Sequence, residues 1–183
     1  MRGTTLRTDR LLLRPFESDD VEEALNYRND VEFARFLPHI PQPFTRADAE
    51  QFITANMEEP WEQYPTFAIV LDARLIGTIN LEVDADNRIA MLGYAISRDR
   101  WGEGITPEAA RAVIDWGFQT FSLAKIWAST DARHWRSRRV MEKLGMRQEG
   151  LLRLHRLDRT GLRVDEVIFG LLREEWEAAA TSN

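Results

Sequence analysis

The chain contains no cysteine in its 183 residues. That excludes disulfides, thiolate metal sites and a cysteine nucleophile. No apolar run approaches the roughly 20 residues that cross a bilayer as a helix. The opening MRGTTLRTDRLLLRPF has no apolar stretch of the kind found in a secretory leader, so none is expected, and a cytoplasmic location is. Three histidines, His39, His134 and His155, lie far apart and in no metal-ligand spacing, so no metal is expected. Gly-Lys-Ser and Gly-Lys-Thr are absent, which rules out a P-loop. Positive charge is also short: the formal net charge is −6. A nucleic-acid binder normally carries a cationic excess, so that class and a membrane-bound role are not expected. No internal repeat or low-complexity linker interrupts the chain.

The content is that of a globular protein, 44% hydrophobic and 30% charged, and the length suits one domain over residues 1–183. RLLLRPF (10–16) reads as a strand stopped at Pro15. SDDVEEALNYRND (18–30) reads as a helix capped by Ser18. PHIPQPF (38–44) holds three prolines and is a loop. TRADAEQFITANMEE (45–59) starts at a Thr cap and places Ala49, Phe52, Ile53 and Met57 on one face. TFAIVL (66–71), RLIGTINLEV (74–83) and RIAMLGYAIS (88–97) form a meander. A helix over about 106–121 buries Ala110, Val113, Ile114, Gly117, Phe118 and Phe121. KIWAS (125–129) is a strand, HWRSRRVMEKLG (134–145) a helix ended by Gly145. MRQEGLLRLHRL and RVDEVIFGLL form a hairpin across DRTG, and EEWEAAATSN is a frayed helical end. The order implies an α+β, mixed α/β sheet domain.

RDRWGEGITPEA (98–109) joins a strand to a helix through Gly102 and Gly104. Thr106 reads as the N-cap, with Pro107 at the first helical position and Glu108 in the first turn. Such a junction offers free backbone N–H groups at the positive end of a helix and is a site for phosphate; it is equally a plain tight turn. A dinucleotide fingerprint is not matched, because Pro107 stands at its third glycine. On the later helix Arg136, Arg139 and Lys143 share a face, with Arg133 and Arg138 nearby. They read either as a solvated basic face or as phosphate ligands.

LGYAISRDRWGEGITPEAARAVIDWGF followed by ASTDARHWRSRRVMEKLGMRQEG resembles the GNAT superfamily of acyl-CoA-dependent N-acetyltransferases, and within it the RimJ/RimL-like group. LRTDRLLLRPFESDDVEEALNYRND resembles that group's opening, and VDEVIFGLLREEW its last strand. The resemblance implies a central, mostly antiparallel sheet of six to seven strands flanked by helices. It also implies a V-shaped splay between the fourth strand (88–97) and the fifth (125–129). Acetyl-CoA is implied as co-substrate, its pyrophosphate on the turn formed by Arg100, Trp101, Gly102, Glu103, Gly104, Ile105 and Thr106. Its pantetheine arm is implied to lie in the splay against the backbone of Ala95, Ile96 and Ser97, with an N–H near Ile96 polarising the thioester carbonyl. His134, Ser137, Arg139 and Lys143 complete the implied cofactor set.

Three positions depart from that family's pattern. His134 stands where an Asn usually contacts the CoA arm; it is a changed contact, an acid or base, or a surface residue. Met91 replaces a frequent Glu proposed as general base, so the base is sought at Glu82 or Asp84 on the neighbouring strand, where Asn80, Glu82 and Asp84 share a face, or through a water chain. Asp99 replaces a frequent Arg or Gln. Ser137 matches the proposed leaving-group acid, and no Tyr follows Tyr94. Trp101 and Trp135 adjoin the two motifs and are candidates to wall the cofactor cleft. Phe33, Phe36, His39 and Ile40 belong to the region that implies acceptor selection. The expected activity is acetyl transfer to a primary amine, of a protein N-terminus or a small molecule, with Ser137, Glu82 and His134 as catalytic candidates and a homodimer as a possibility by analogy. The alternative is a catalytically weak CoA-binding sensor or scaffold.

Overall fold

A computed structural model describes residues 3–181 of the chain. Met1, Arg2, Ser182 and Asn183, the extreme ends of the N-terminal segment and of the C-terminal tail, lie outside the described residues. Among the described residues the strands are β1 (Leu6–Arg7), β2 (Leu12–Arg14), β3 (Thr66–Leu71), β4 (Arg74–Asp84), β5 (Ile89–Ile96), β6 (Lys125–Asp131), β7 (Arg147–Leu157) and β8 (Arg163–Leu172). The helices are α1 (Val21–Arg28), α2 (Val31–Ala34), α3 (Arg46–Glu58), α4 (Ile105–Thr120), α5 (Trp135–Lys143) and α6 (Arg173–Ala180). One eight-stranded sheet runs in the order β1-β2-β3-β4-β5-β6-β8-β7. The expected six to seven strands become eight because β1 adds a two-residue pairing with β2, too short to show a period of two.

Every neighbouring pair is antiparallel except β5 and β6. That pair is joined only at Ile89↔Lys125, Ala90↔Ile126 and Met91↔Trp127. Beyond those rows β5 continues to Ile96 and β6 to Asp131 without pairing to each other, so the sheet opens into a V. The splay expected between the fourth and fifth strands of the sequence reading is this gap.

The near-continuous apolar runs of the central strands feed a core on each face of the sheet. Phe67, Ile69, Leu81, Leu92, Ile96 and Ala128 pack with Val113, Ile114 and Phe118 of α4 and Met141 of α5. On the other face Ala68 and Val70 pack with Ala24 and Tyr27 of α1, Phe33 of α2 and Ile53 of α3. Of the α3 face expected to be apolar, Ala49 and Ile53 are buried and Phe52 is partly so, but Met57 in the last turn is exposed. Ser18 is not a cap either. It opens a short 3-10 turn, Ser18–Asp20, whose capping box is made by Glu17 and Asp20. Thr45 does cap α3, through a box with Asp48. The short α2, capped by Asp30, lies in a stretch read only as the end of a longer helix and a loop.

Candidate active site

The glycine turn takes its shape from two left-handed residues. After β5 a 3-10 turn, Arg98–Arg100, leads to Gly102 at φ 87° and Gly104 at φ 79°. A side chain in that conformation costs about 1–2 kcal/mol. A Cβ on Gly102 would meet nothing within 4 Å, so the turn is open to an incoming group. Gly104, not Thr106, occupies the N-cap of α4, and the helix begins at Ile105. The first intrahelical bond runs from the Glu108 N–H to the Gly104 carbonyl at 3.2 Å. The amides ahead of it have no helical partner, and Pro107 in the first turn removes only a donor that would be unpaired anyway. Arg10 braces the turn from the β1–β2 connection, donating to the Glu103 carbonyl at 3.1 Å and to the Glu108 carboxylate at 2.7 Å.

Strand parity decides which backbone groups face the V. The Ser97 N–H donates to the Ile76 carbonyl of β4 at 2.7 Å, and Ala95 pairs with Thr78 in the same alternation. The Ser97 N–H and the peptide groups of Ala95 are therefore directed to β4, and the Ser97 carbonyl accepts from the Arg100 N–H at 3.1 Å. Leu92, Tyr94 and Ile96 turn theirs toward β6, where pairing has ended. The Ile96 carbonyl accepts from the Trp101 indole N–H at 2.9 Å, which leaves its N–H as the donor aimed into the V. Of the three backbone positions expected to hold the pantetheine arm, Ile96 alone has the right parity.

One side of the V is spanned by a contact that crosses 43 positions of sequence. The Tyr94 hydroxyl lies 2.9 Å from Ser137 Oγ and donates to the Ser137 carbonyl at 3.2 Å. Ser137 is buried near the start of α5. Burial pushes the Tyr94 phenol up to about 12, against the opposing hydrogen bond from Ser137, so it stays protonated at neutral pH. Sequence reasoning sought a Tyr after position 94 and so passed over this one.

His134 sits at the N-cap of α5, its Nδ1 3.2 Å from Thr130 Oγ1. Its ring stacks on Phe36 at 4.1 Å and 11°. Its pKa falls to about 4, mainly through burial; Asp131 opposes the shift, and Arg136, Arg156 and Arg35 add to it. With that shift the ring is neutral at pH 7. The stack on Phe36 places His134 between α5 and the loop after α2. Phe36 belongs to the loop after α2, and that loop is held from across the molecule. Arg159, in the β7–β8 turn, donates to the carbonyls of Ala34 at 3.1 Å, Leu37 at 2.8 Å and Ile40 at 2.7 Å. Arg159 carries no local motif.

Glu82 pairs with Met91, and Met91 with Trp127. It thus stands on the last row before the V opens. Thr78 is on the same face of β4 by period-two alternation and bonds the Tyr27 hydroxyl of α1 at 2.9 Å, so Glu82 is on the α1 side, opposite α4. Glu82 is exposed. Asp84 instead closes a turn by accepting from the Asn87 amide at 2.9 Å. The basic residues of α5 separate by height. Arg136 lies over Trp101 at 5.1 Å and Trp135 at 4.8 Å, bridging α5 to the glycine turn. Arg139 and Lys143 are exposed, about one and two helical turns farther along. Arg136, absent from the expected cofactor set, is the one brought to the turn.

These residues fit an acyl-CoA. An open cradle of unpaired amides and a bare glycine suits a pyrophosphate. A cation on two tryptophans, with no carboxylate in ion-pair reach among the described residues, adds a charge partner. A strand edge with free peptide groups suits an amide-bearing arm. No cluster of His, Cys, Asp or Glu that could hold a metal occurs among the described residues, and no described helix is long and apolar enough to cross a membrane.

Comparison with known proteins agrees. The chain matches the family model for the acetyltransferase (GNAT) domain over residues 10–147. It is 30% identical over 171 residues to the N-acetyltransferase YnaD of Bacillus subtilis (strain 168), covering 93% of this chain and 98% of YnaD. A GNAT-family acetyltransferase structure from Bacillus anthracis superposes with a TM-score of 0.84 at 28% identity, over 94% of this chain and 100% of that one. The microcin C7 self-immunity acetyltransferase MccE, solved in complex with acetyl-CoA and AMP, shares the fold at a TM-score of 0.81 and 19% identity, over 90% and 93% of the two chains.

Proposed function

Because the chain belongs to the GNAT family, and is thereby an acetyl-CoA-dependent N-acetyltransferase, we propose that it acetylates a primary amine by direct attack in a ternary complex. The acceptor is a protein N-terminus or a small molecule. The observation that carries this reading is the Tyr94–Ser137 hydrogen bond at a V whose β5 edge also presents Ile96 toward the gap.

The chemistry divides among the chain's own residues. The turn from Gly102 to Thr106 and Arg136 hold the pyrophosphate; acetyl-CoA supplies the activated acetyl group. The Ile96 N–H hydrogen-bonds the thioester carbonyl, where negative charge grows during attack. A single donor of this kind is worth about 2.7–4 kcal/mol of barrier. Glu82, at the closed end of the V on the acceptor side, accepts the amine proton through water. Tyr94 and Ser137 pass a proton or hydrogen bond to the departing thiolate, which leaves readily. No side chain of the V is a strong nucleophile, so no acetyl-enzyme is required.

Two measurements test the mechanism. Incubation with acetyl-CoA alone should leave the protein's mass unchanged, and double-reciprocal plots with an accepted amine should intersect. A mass gain of one acetyl group with parallel lines would contradict direct attack. The rival, a CoA-binding scaffold, draws on Met91 at the base position and the exposure of Glu82. It would be supported by micromolar acetyl-CoA binding without turnover of any amine.

A further inference from the structure

The acceptor side of the V carries a polar pair that the steps assigned to Tyr94, Ser137 and Glu82 leave unused. Met91 shares the face of Glu82, with which it pairs, and Trp127 that of Met91. Two residues on, Gly93 of β5 and Ser129 of β6 face each other across the opening, still on that side. Theirs is the first unpaired row of that face. Tyr94, the next residue of β5, turns to the opposite face and meets Ser137. The row of Gly93 and Ser129 therefore lies level with the hydroxyls assigned to the leaving thiolate. Gly93 keeps the row open. A Cβ there would stand 2.5 Å from Asn80 Oδ1, so the position has room only for glycine, and no β5 side chain fills the space beside Ser129.

Ser129 is half-buried, and its hydroxyl has a fixed direction. Oγ donates to Glu166 Oε1 of β8 at 2.7 Å. A carboxylate only accepts, so the one hydroxyl hydrogen is spent there. What remains for a ligand is the pair of acceptor positions on Oγ, and no donor among the described residues takes them. Glu166 is held in turn. Its side chain is 14% exposed, and Arg156 of β7 donates to the same Oε1 at 3.3 Å. His155 Nε2 stands 3.7 Å from Oε2. The guanidinium and the carboxylate offset each other's charge, so hydrogen-bond direction defines the place more than net charge does. A hydroxyl that donates to a carboxylate is polarised and accepts more strongly.

Resting on the N-acetyltransferase reading, we propose that Ser129 Oγ accepts a hydrogen bond from the N–H of the acceptor amine and so seats its nitrogen at the thioester carbon, with Glu166 as the positioning residue that fixes the hydroxyl's direction. A serine free to turn could donate to the amine lone pair and mask the nucleophile. The bond to Glu166 holds the hydroxyl away from that orientation and leaves the lone pair to attack. The contact strengthens as the nitrogen gains positive charge on forming the N–C bond, so it favours the transition state over the bound amine. Ser129 and Glu82 then divide the work from the two sides of β5. One holds the amine, and the other takes its proton through water.

Calorimetry with two thioethers of CoA tests this seat whatever the acceptor is. S-(2-aminoethyl)-CoA carries an amine beyond the sulfur, and S-propyl-CoA a methyl group in its place. The wild type should bind the aminoethyl probe about tenfold more tightly, the effect of one hydrogen bond from a charged donor. Ser129→Ala should abolish that preference, Ser129→Thr should keep it, and Glu166→Gln should lower it at least threefold. Affinity for S-propyl-CoA should hold in all three variants, with folding checked by circular dichroism. Equal binding of the two probes by the wild type, or a preference unmoved by Ser129→Ala, would overturn the proposal and leave the acetyl-CoA reading standing. A preference unmoved by Glu166→Gln would overturn the role of Glu166. A fall of both affinities at an unchanged ratio would mark the pair as structural and overturn the proposal too. Failure of the wild type to bind either probe or acetyl-CoA would strike the acetyl-CoA reading itself, and the seat with it.

Discussion

At the residue scale the pair Tyr94–Ser137 is the sharpest feature. Two hydroxyls 2.9 Å apart on the V share a hydrogen bond, so under the proposed mechanism their removal should be non-additive. Tyr94→Phe and Ser137→Ala are each expected to lower kcat about 10- to 100-fold, and the double variant little more than the worse single one. Steady-state kinetics on a double-mutant cycle reads this; full additivity would mean the two act separately. Glu82→Gln should lower kcat about 100-fold and flatten the rise of rate with pH if it relays the amine proton. Unchanged kinetics would return Glu82 to an ordinary solvated position. His134 makes a prediction of a different kind. Its folded pKa of about 4 lies below its ordinary 6.5, so the unfolded chain binds a proton in that window and the folded chain does not. Stability present above pH 6.5 should therefore be lost as pH falls toward 4. His134→Phe keeps a ring against Phe36 without a titrating group. Melting temperatures at pH 7 and pH 5 should show a smaller acid drop in that variant than in the wild type.

At the element scale the loop after α2 is tied to a distant hairpin by one side chain. Arg159 bonds three carbonyls of the α2 end and the following loop. Arg159→Ala should raise the KM for the acceptor about tenfold and leave acetyl-CoA binding unchanged. Arg159→Lys should rescue little, because an ammonium lacks the planar fork. A matched loss of both affinities would mean the loop is not an acceptor element. This tie also marks where sequence reading stops. Strands 66–71, 74–83 and 125–129 were legible as short, largely apolar runs bounded by turn residues. The cap of α3 was legible because Thr45 and Asp48 interact locally. Arg159, Tyr94 with Ser137, and Arg136 over Trp101 were not, since each joins residues separated by dozens of positions. Thr106 was misassigned as a cap because the left-handed Gly104 fills that place without offering a side chain. β1 and α2 are too short for any period to appear.

At the scale of the whole molecule, one unpaired stretch organises everything else. Pairing between β5 and β6 stops at Met91↔Trp127, and the sheet opens beside the start of α4, where the glycine turn waits, and of α5, where Ser137 and Arg136 sit. The two helices pack on one face and the α1–α3 layer on the other, so co-substrate and acceptor can approach from opposite sides. That division rests on the turn binding the pyrophosphate of acetyl-CoA. The most direct test is isothermal titration with acetyl-CoA of the wild type beside Gly104→Glu, which places strain and a negative charge in the cradle. Micromolar binding, about −8 kcal/mol, is expected for the wild type, and its loss in a variant that circular dichroism shows to be folded. Absence of binding in the wild type, or equal binding in a folded variant, would contradict the assignment of the turn.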